Sequence, residues 1–109
     1  MKKLLTAALA MTTLTITAQA ACSGTSCIGV DVTRLYMTNA GTLYIGTSGE
    51  ESALNCTSPA NVFLSVKDSD VGKNAIYSTL LTAKTTKTPV TIGIQAGTPD
   101  CRVLYVSID

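Results

Sequence analysis

The fold is decided by residues 28–37, which read IGVDVTRLYM. Apolar side chains occupy the even positions 28, 30 and 32 and then the odd positions 35 and 37. Because successive side chains of a strand point to opposite faces, this change of parity predicts a strand with a β-bulge or a sharp bend. A strand that bends in this way can serve two sides of a barrel.

Four further strands are predicted outward from this segment. The turn at 38–41 contains Asn39 and Gly41, which tolerate positive φ, and it leads to a return strand at 42–47. A loop at 48–60 separates this hairpin from a third strand at 61–67. Alternating apolar residues predict a fourth strand at 90–94, and residues 101–108 predict a fifth. The fifth strand is apolar on both faces, so we expect it to be buried.

One helix is expected between the third and fourth strands. Asp68-Ser69-Asp70 is a helix-start signal, and Pro89 ends the segment. An apolar stripe at helical spacing comprises Val71, Ala75, Ile76, Leu80 and Ala83. The order β-β-β-α-β-β predicts a mostly-β domain with one helix, arranged as a disulfide-stabilised, five-stranded OB-like barrel. The alternative is an open five-stranded sheet with the helix packed across it.

The N-terminal segment has the pattern of an export signal. Residues 1–20 combine two lysines, an apolar run at 4–16 and the small-x-small site Ala18-Gln19-Ala20. The apolar run is too short for a transmembrane span. Cys22 also suggests a lipoprotein, but Gln19 occupies the position where such signals usually have Leu. We therefore expect cleavage after Ala20, one domain at 21–109, and a secreted or periplasmic protein.

Four cysteines remain after the signal, namely Cys22, Cys27, Cys56 and Cys101. In a small exported domain they predict two disulfides, for which three pairings exist. We favour Cys22–Cys27, which closes a short flexible ring, together with Cys56–Cys101. A metal site is disfavoured because the chain has no His. No cofactor or metal is therefore expected.

The composition argues against several functions. Lys2 and Lys3 leave with the signal, so the chain's 8 Lys and Arg become six against 7 Asp and Glu. A near-neutral chain does not attract nucleic acid, and no nucleic-acid partner is expected. Without His, the usual general acid–base group is missing, and we expect no enzymatic activity. Glu50 and Glu51 are interpreted as a solvated loop.

A resemblance to a known family supports the fold prediction. Residues 29–35, GVDVTRL, resemble the first strand of the subtilase-cytotoxin B subunits. Residues 77–92 are similar to that family's helix, turn and next strand, and the matching positions are Tyr77, Leu81, Thr85, Thr86, Pro89, Val90 and Ile92. The resemblance implies an exported, disulfide-bonded, OB-like subunit that forms a homo-oligomeric ring and binds a cell-surface sialylated glycan.

The residues that hold the sugar in that family do not carry over. Its strand-opening Ser corresponds to Ile28, and its aromatic residue after the Pro-Val-x-Ile strand falls near Ile94. Of these positions only Gly29 matches.

The residues alone favour a binding module that uses loops and strand ends. The candidate ligand-binding residues are Ser23, Thr25 and Ser26, which a Cys22–Cys27 ring would preorganise. The alternatives are that this ring only fixes the N-terminus, or that the 48–60 loop carries the contacts. The predicted function is thus a small exported module that binds a glycan, and the alternative is a periplasmic protein-interaction or inhibitor domain.

Overall fold

The computed structural model describes residues 21–109, so the predicted signal peptide lies outside the described residues. The elements in chain order are β1 (Ala21–Ser23), β2 (Ser26–Val30), β3 (Val32–Met37), β4 (Leu43–Thr47), β5 (Leu64–Val66), α1 (Lys73–Thr86), β6 (Val90–Ile94) and β7 (Val103–Ile108). Two short 3-10 turns lie at Glu51–Ala53 and Pro59–Asn61. The predicted mostly-β class with one helix is confirmed.

The strands form two antiparallel sheets. One has the order β1-β2-β6-β7 and the other β3-β4-β5. The chain passes from the first sheet to the second at Asp31, which separates β2 from β3. The register shifts between Cys27 and Val30 and again between Val32 and Arg34. The predicted parity change is therefore a real bend with bulges, and it divides the expected first strand between the two sheets.

The two sheets meet at the start of β7. Ser65 forms an isolated parallel β-bridge with Arg102, and the Ser65 amide donates to the Cys101 carbonyl at 3.1 Å. The Ser65 hydroxyl also donates to the carbonyl of Asp100 at 2.7 Å. Within residues 21–109 this single bridge is the β-pairing that joins the two sheets. One bridge does not close the sheets into the barrel expected from the sequence.

The core lies between the sheets and the helix. Its fully buried side chains include Val30, Leu43, Ile45, Leu64, Val66, Leu80, Val90 and Ile92. Strands β4, β5 and β6 contribute alternate residues to it, so the side chains between those residues point to the opposite face of the sheet. The outer surface of the β3-β4-β5 sheet carries the aromatic residues described below.

Both disulfides follow the favoured pairing. Cys22 is joined to Cys27, and Cys56 to Cys101, with Cα–Cα separations of 3.9 and 5.0 Å. The first closes the β1–β2 hairpin, in which Cys22 and Cys27 are cross-strand partners. The second ties the 48–60 loop to the segment that enters β7, beside the bridge between the sheets.

The helix prediction is partly wrong. Helix α1 begins at Lys73 after Gly72, with no side-chain cap. Asp70 does not cap it; its carboxylate accepts the Lys67 amide at 2.9 Å and pairs with Arg102. The Asp70 carboxylate therefore forms an ion pair with Arg102 and does not cap the helix.

The apolar stripe of the helix is shorter than predicted. Val71 and Ala75 are exposed, whereas Leu80 and Ala83 are buried and Ile76 packs against the core. The helix ends as expected: Lys87 adopts the left-handed conformation, the Thr88 amide donates to the Ala83 carbonyl at 2.9 Å, and Pro89 follows.

The expected burial of the fifth strand is wrong. Strand β7 is the edge of its sheet, and Leu104, Tyr105 and Ile108 are exposed. The register shifts where Gly93 pairs with Tyr105 and Ile94 with Val103, so Leu104 is the extra residue of a bulge in β7 and turns outward. Strand β7 thus has apolar residues on both faces although it is an exposed edge strand and not a central one.

Candidate functional site

Three aromatic rings and one arginine gather on the outer face of the β3-β4-β5 sheet. Ring centroids of Tyr36 and Tyr44 are 5.9 Å apart, and those of Tyr36 and Phe63 are 6.4 Å apart. Tyr44 and Phe63 are 5.8 Å apart. The Arg34 guanidinium lies 5.4 Å from the Tyr36 centroid and 5.7 Å from that of Phe63. We call these four residues the aromatic surface.

Strand register explains why these residues meet. Tyr36 and Tyr44 are direct cross-strand partners, and Tyr44 in turn pairs with Ser65. Phe63 lies two residues before Ser65, so its side chain points to the same face. The bulge between Val32 and Arg34 brings Arg34 opposite Gly46, which has no side chain to compete for the space.

A pocket adjoins the aromatic surface and shares Arg34 and Phe63 with it. Its volume is about 270 Å³, and its other lining residues are Thr33, Gly46, Thr47, Gly49, Glu51 and Val62. The pocket therefore lies between the β3–β4 bulge, the first part of the 48–60 loop and the approach to β5.

Glu51 is the buried acidic group of this pocket, with 4% of its surface exposed. One carboxylate oxygen, Oε1, accepts the Thr47 amide at 2.7 Å and the Thr47 hydroxyl at 2.8 Å. Among residues 21–109, no donor reaches the second oxygen, Oε2, and no cation pairs with the carboxylate. The interpretation of Glu51 as part of a solvated loop is wrong, because Thr47 folds the side chain inward.

The pocket wall is supported from behind by the Cys22–Cys27 disulfide. Cys22 Sγ lies 3.9 Å from the Thr47 hydroxyl oxygen. That hydroxyl also accepts the Gly49 amide at 3.2 Å. A Cβ atom at Gly49 would lie 2.6 Å from Cys22 Sγ, so this position requires glycine. The disulfide therefore fixes the backbone that carries Glu51.

The predicted ligand-binding residues lie on the other sheet. Ser23 and Ser26 face each other in the β1–β2 hairpin, and Ser26 pairs in turn with Gly93. Thr25 is exposed at the turn. Within the described part of the chain, none of these three hydroxyls forms a hydrogen bond, and none of them lines the Glu51 pocket. The structure thus brings the three residues together but separates them from the aromatic surface.

One exposed aromatic residue accompanies the predicted residues. Tyr105 pairs with Gly93 across the sheet, which completes a row with Ser23 and Ser26. The Tyr105 ring lies directly over Gly93 and occupies the space that a side chain would need there. This row is a second, flatter surface with hydroxyl groups and one ring.

The aromatic surface was not identified from the sequence. Tyr36, Tyr44 and Phe63 lie in separate segments of the chain, and each ring taken alone fits ordinary core or cross-strand packing. The signal that could have found them is the parity change itself. Once Leu35 packs against the core, Arg34 and Tyr36 must face outward, and Tyr44 must join them opposite Tyr36.

Comparisons of the chain with protein-family models, with curated proteins and with solved structures give no match. For the part of the chain at 21–109, no helix has both the length and the apolar character needed to cross a membrane. Within the same range, no three Cys, Asp or Glu side chains cluster as metal ligands would.

Proposed function

We propose that this protein is an exported module that binds a glycan through the aromatic surface. The observation that carries the proposal is the grouping of three aromatic rings and an arginine on one solvent-facing side of a sheet. A sugar ring presents C–H groups on its faces and hydroxyls at its edge. Aromatic faces suit the first, and the fixed N–H donors of a guanidinium suit the second.

Core packing does not account for this grouping. The core beneath the same strands is already filled by Leu43, Ile45 and Leu64, all fully buried. Tyr36 retains 46% of its surface exposed although it stacks with two other rings. Arg34 lies over these rings and has no carboxylate partner in the described chain. Rings and cation are thus available to a ligand at little cost in stability.

We also propose that the two sheets belong to one partly open, OB-like barrel. The direct continuation of β2 into β3 and the Ser65–Arg102 bridge support this arrangement. In OB folds the face of the second and third strands binds oligosaccharides and oligonucleotides. Strands β4 and β5 would be those strands, and the aromatic surface lies on their outer face. Two disulfides in a small domain are compatible with a periplasmic or extracellular site of action.

The alternative function is a protein-interaction or inhibitor domain, and the β7 edge favours it. An edge strand presents unpaired backbone groups on which an extended peptide can add as a further strand. Strand β7 carries no Lys or Pro to block such pairing, and Leu104 and Ile108 are exposed. The homo-oligomeric ring implied by the family resemblance would use the same edge, with a second copy as the partner.

The proposal is tested on an array of neutral and sialylated oligosaccharides with purified protein and two matched variants. Tyr36→Ala removes the exposed ring of the aromatic surface. Tyr105→Ala removes a ring of similar exposure, 51% against 46%, on the other sheet. We expect Tyr36→Ala to weaken binding at least tenfold and Tyr105→Ala to leave it unchanged.

Two results would count against this assignment. Loss of binding in Tyr105→Ala alone would move the glycan site to the row that contains Ser23 and Ser26. Absence of binding to every glycan would favour the protein-interaction alternative. Size-exclusion chromatography with light scattering then separates a ring from a monomer.

A further inference from the structure

The pocket beside the aromatic surface contains the carboxylate of Glu51. A sugar that only stacked on the aromatic rings would not need this group. We infer that this pocket holds one uncharged, hydroxyl-rich sugar residue, with Glu51 Oε2 accepting a hydroxyl and Arg34 donating to a second oxygen. The inference rests on the proposed function and specifies its ligand: a neutral sugar, in contrast to the sialylated glycan that the family resemblance implies.

Glu51 supplies the acceptor. Removing a carboxylate from water is costly unless its oxygens find donors. Thr47 satisfies Oε1 through two short hydrogen bonds, and Oε2 receives none from residues 21–109. No buried side-chain oxygen of those residues lacks a partner, so Oε2 is open to solvent in the pocket. A ligand hydroxyl there would take the place of water as its donor. Hydrogen bonds to a charged acceptor are stronger than those between neutral groups, so this contact would select for a donor.

Arg34 supplies hydrogen-bond donors to the same pocket. Its guanidinium rests against Tyr36 and Phe63, which restrains its position, and it lines the pocket together with Phe63. No carboxylate of the described chain pairs with Arg34, so its N–H groups are free. Guanidinium donors lie in a fixed plane and suit the ring oxygen or hydroxyls of a sugar held on the adjacent rings.

The charges of the pocket favour an uncharged ligand. The titratable lining groups are Arg34 and Glu51, one of each sign. An acidic sugar would place its carboxylate near the buried Glu51, where repulsion is poorly screened. An amine-bearing ligand would place a positive charge near the Arg34 guanidinium, where solvent weakens the repulsion because Arg34 is exposed. A neutral polyol satisfies both groups because each hydroxyl can donate to one and accept from the other.

The size and support of the pocket fit a single sugar residue. Its 270 Å³ lies just below the roughly 300–1,000 Å³ typical of pockets for drug-sized ligands. The wall that carries Glu51 is held by the Thr47 hydrogen bonds and by the Cys22–Cys27 disulfide behind it. A preformed wall lowers the ordering cost of binding.

Glu51→Gln tests the inference with little disturbance of the fold. The amide oxygen of Gln can still accept both Thr47 donors, while the amide nitrogen replaces Oε2, so an acceptor becomes a donor. Glu50→Gln is the control, because Glu50 is the exposed neighbour on the same loop and does not line the pocket. Arg34→Gln, at an exposed position, removes the opposite charge.

The probes are oligosaccharides that end in galactose, glucose, mannose or fucose, and each is paired with its sialylated counterpart. Thermal unfolding verifies that every variant is folded. We expect wild type to prefer a neutral member. Glu51→Gln and Arg34→Gln should each weaken that binding about tenfold or more, and Glu50→Gln should not change it. Neutral-glycan binding that Glu51→Gln leaves intact, or a preference for the sialylated members, overturns the inference but not the proposed function. Failure to bind any glycan overturns both.

Discussion

The Cys56–Cys101 disulfide should supply a large part of the stability of this domain. It closes a loop with a sequence separation of 45, whereas Cys22–Cys27 closes one of 5. In the chain-entropy treatment these loops correspond to about 4 and about 2 kcal/mol, respectively. A typical domain gains about 0.05–0.15 kcal/mol per residue, so residues 21–109 should have roughly 4–13 kcal/mol in total.

Replacing Cys56 and Cys101 together by Ala is the informative change. Cys101 is fully buried, so Ala is preferable to Ser, which would bury a hydroxyl without a designed partner. We expect the double variant to lose about 4 kcal/mol, which for a domain of this size corresponds to a fall in Tm of roughly 20 °C. The Cys22→Ala/Cys27→Ala pair is the matched control and should lose about 2 kcal/mol.

Urea-induced unfolding followed by far-UV circular dichroism measures both losses on the same scale. The reasoning from loop length is refuted if the long-loop variant loses no more than the short-loop control. It is also refuted if the Cys56 and Cys101 variant loses less than about 1 kcal/mol, because loop closure would then be a minor contribution.

Three further changes test the surfaces described above. Gly93→Ala should displace the Tyr105 ring and lower the free energy of unfolding in urea by about 1–2 kcal/mol. In the double variant with Tyr105→Ala the two losses should not add, and additive losses would contradict the contact between Gly93 and the ring. Thr25→Ala with Ser26→Ala should change the free energy of unfolding by no more than about 0.5 kcal/mol, because neither hydroxyl is bonded in the described chain, and a larger loss would reveal a structural role. If copies pair through β7, Leu104→Lys should convert a ring to a monomer in light scattering at unchanged Tm, whereas a monomeric wild type would exclude the ring.

The fold could be predicted from the sequence where local patterns report burial directly. The parity change at residues 28–37 predicts the bend, because in a regular strand the two sets of apolar side chains would point to opposite faces of the sheet. The turn at 38–41 and the stop at Pro89 also follow from backbone chemistry. The helix start could not be predicted in this way, because Asp70 is engaged by Arg102, 32 residues away in the chain.

The position of β7 shows the limit of reading burial from apolar content. Leu104 and Ile108 suggest a central strand, but a strand is buried only if a neighbour covers it. Sheet order is a property of the whole chain, and here β7 ends the order. Exposure of these side chains therefore depends on topology that no local window contains.

The aromatic surface could not be predicted from local sequence patterns either, because it too depends on how the strands pair. Its residues come from three segments that register brings together, and each ring taken alone has an ordinary packing explanation. Glu51 was equally hidden, because its burial depends on the Thr47 hydrogen bonds and not on its own neighbours in sequence. By contrast, the cysteine pairs could be predicted. The expected export predicts two disulfides, and the short spacing of Cys22 and Cys27 favours one of the three possible pairings.

The Cys22–Cys27 ring contributes to the candidate site as a support behind the pocket wall. The hydroxyls of the ring, on Ser23, Thr25 and Ser26, do not line the pocket. The Cys22 sulfur atom contacts the Thr47 side chain and leaves no room for a side chain at Gly49. Those two residues frame the turn that presents Glu51 to the pocket, and β1 packs directly against the 3-10 turn that begins at Glu51. On the function proposed above, the hairpin would support the binding element of the neighbouring sheet. The role of Ser23, Thr25 and Ser26 as ligand-binding residues stays a prediction, as does the alternative that the ring only fixes the N-terminus.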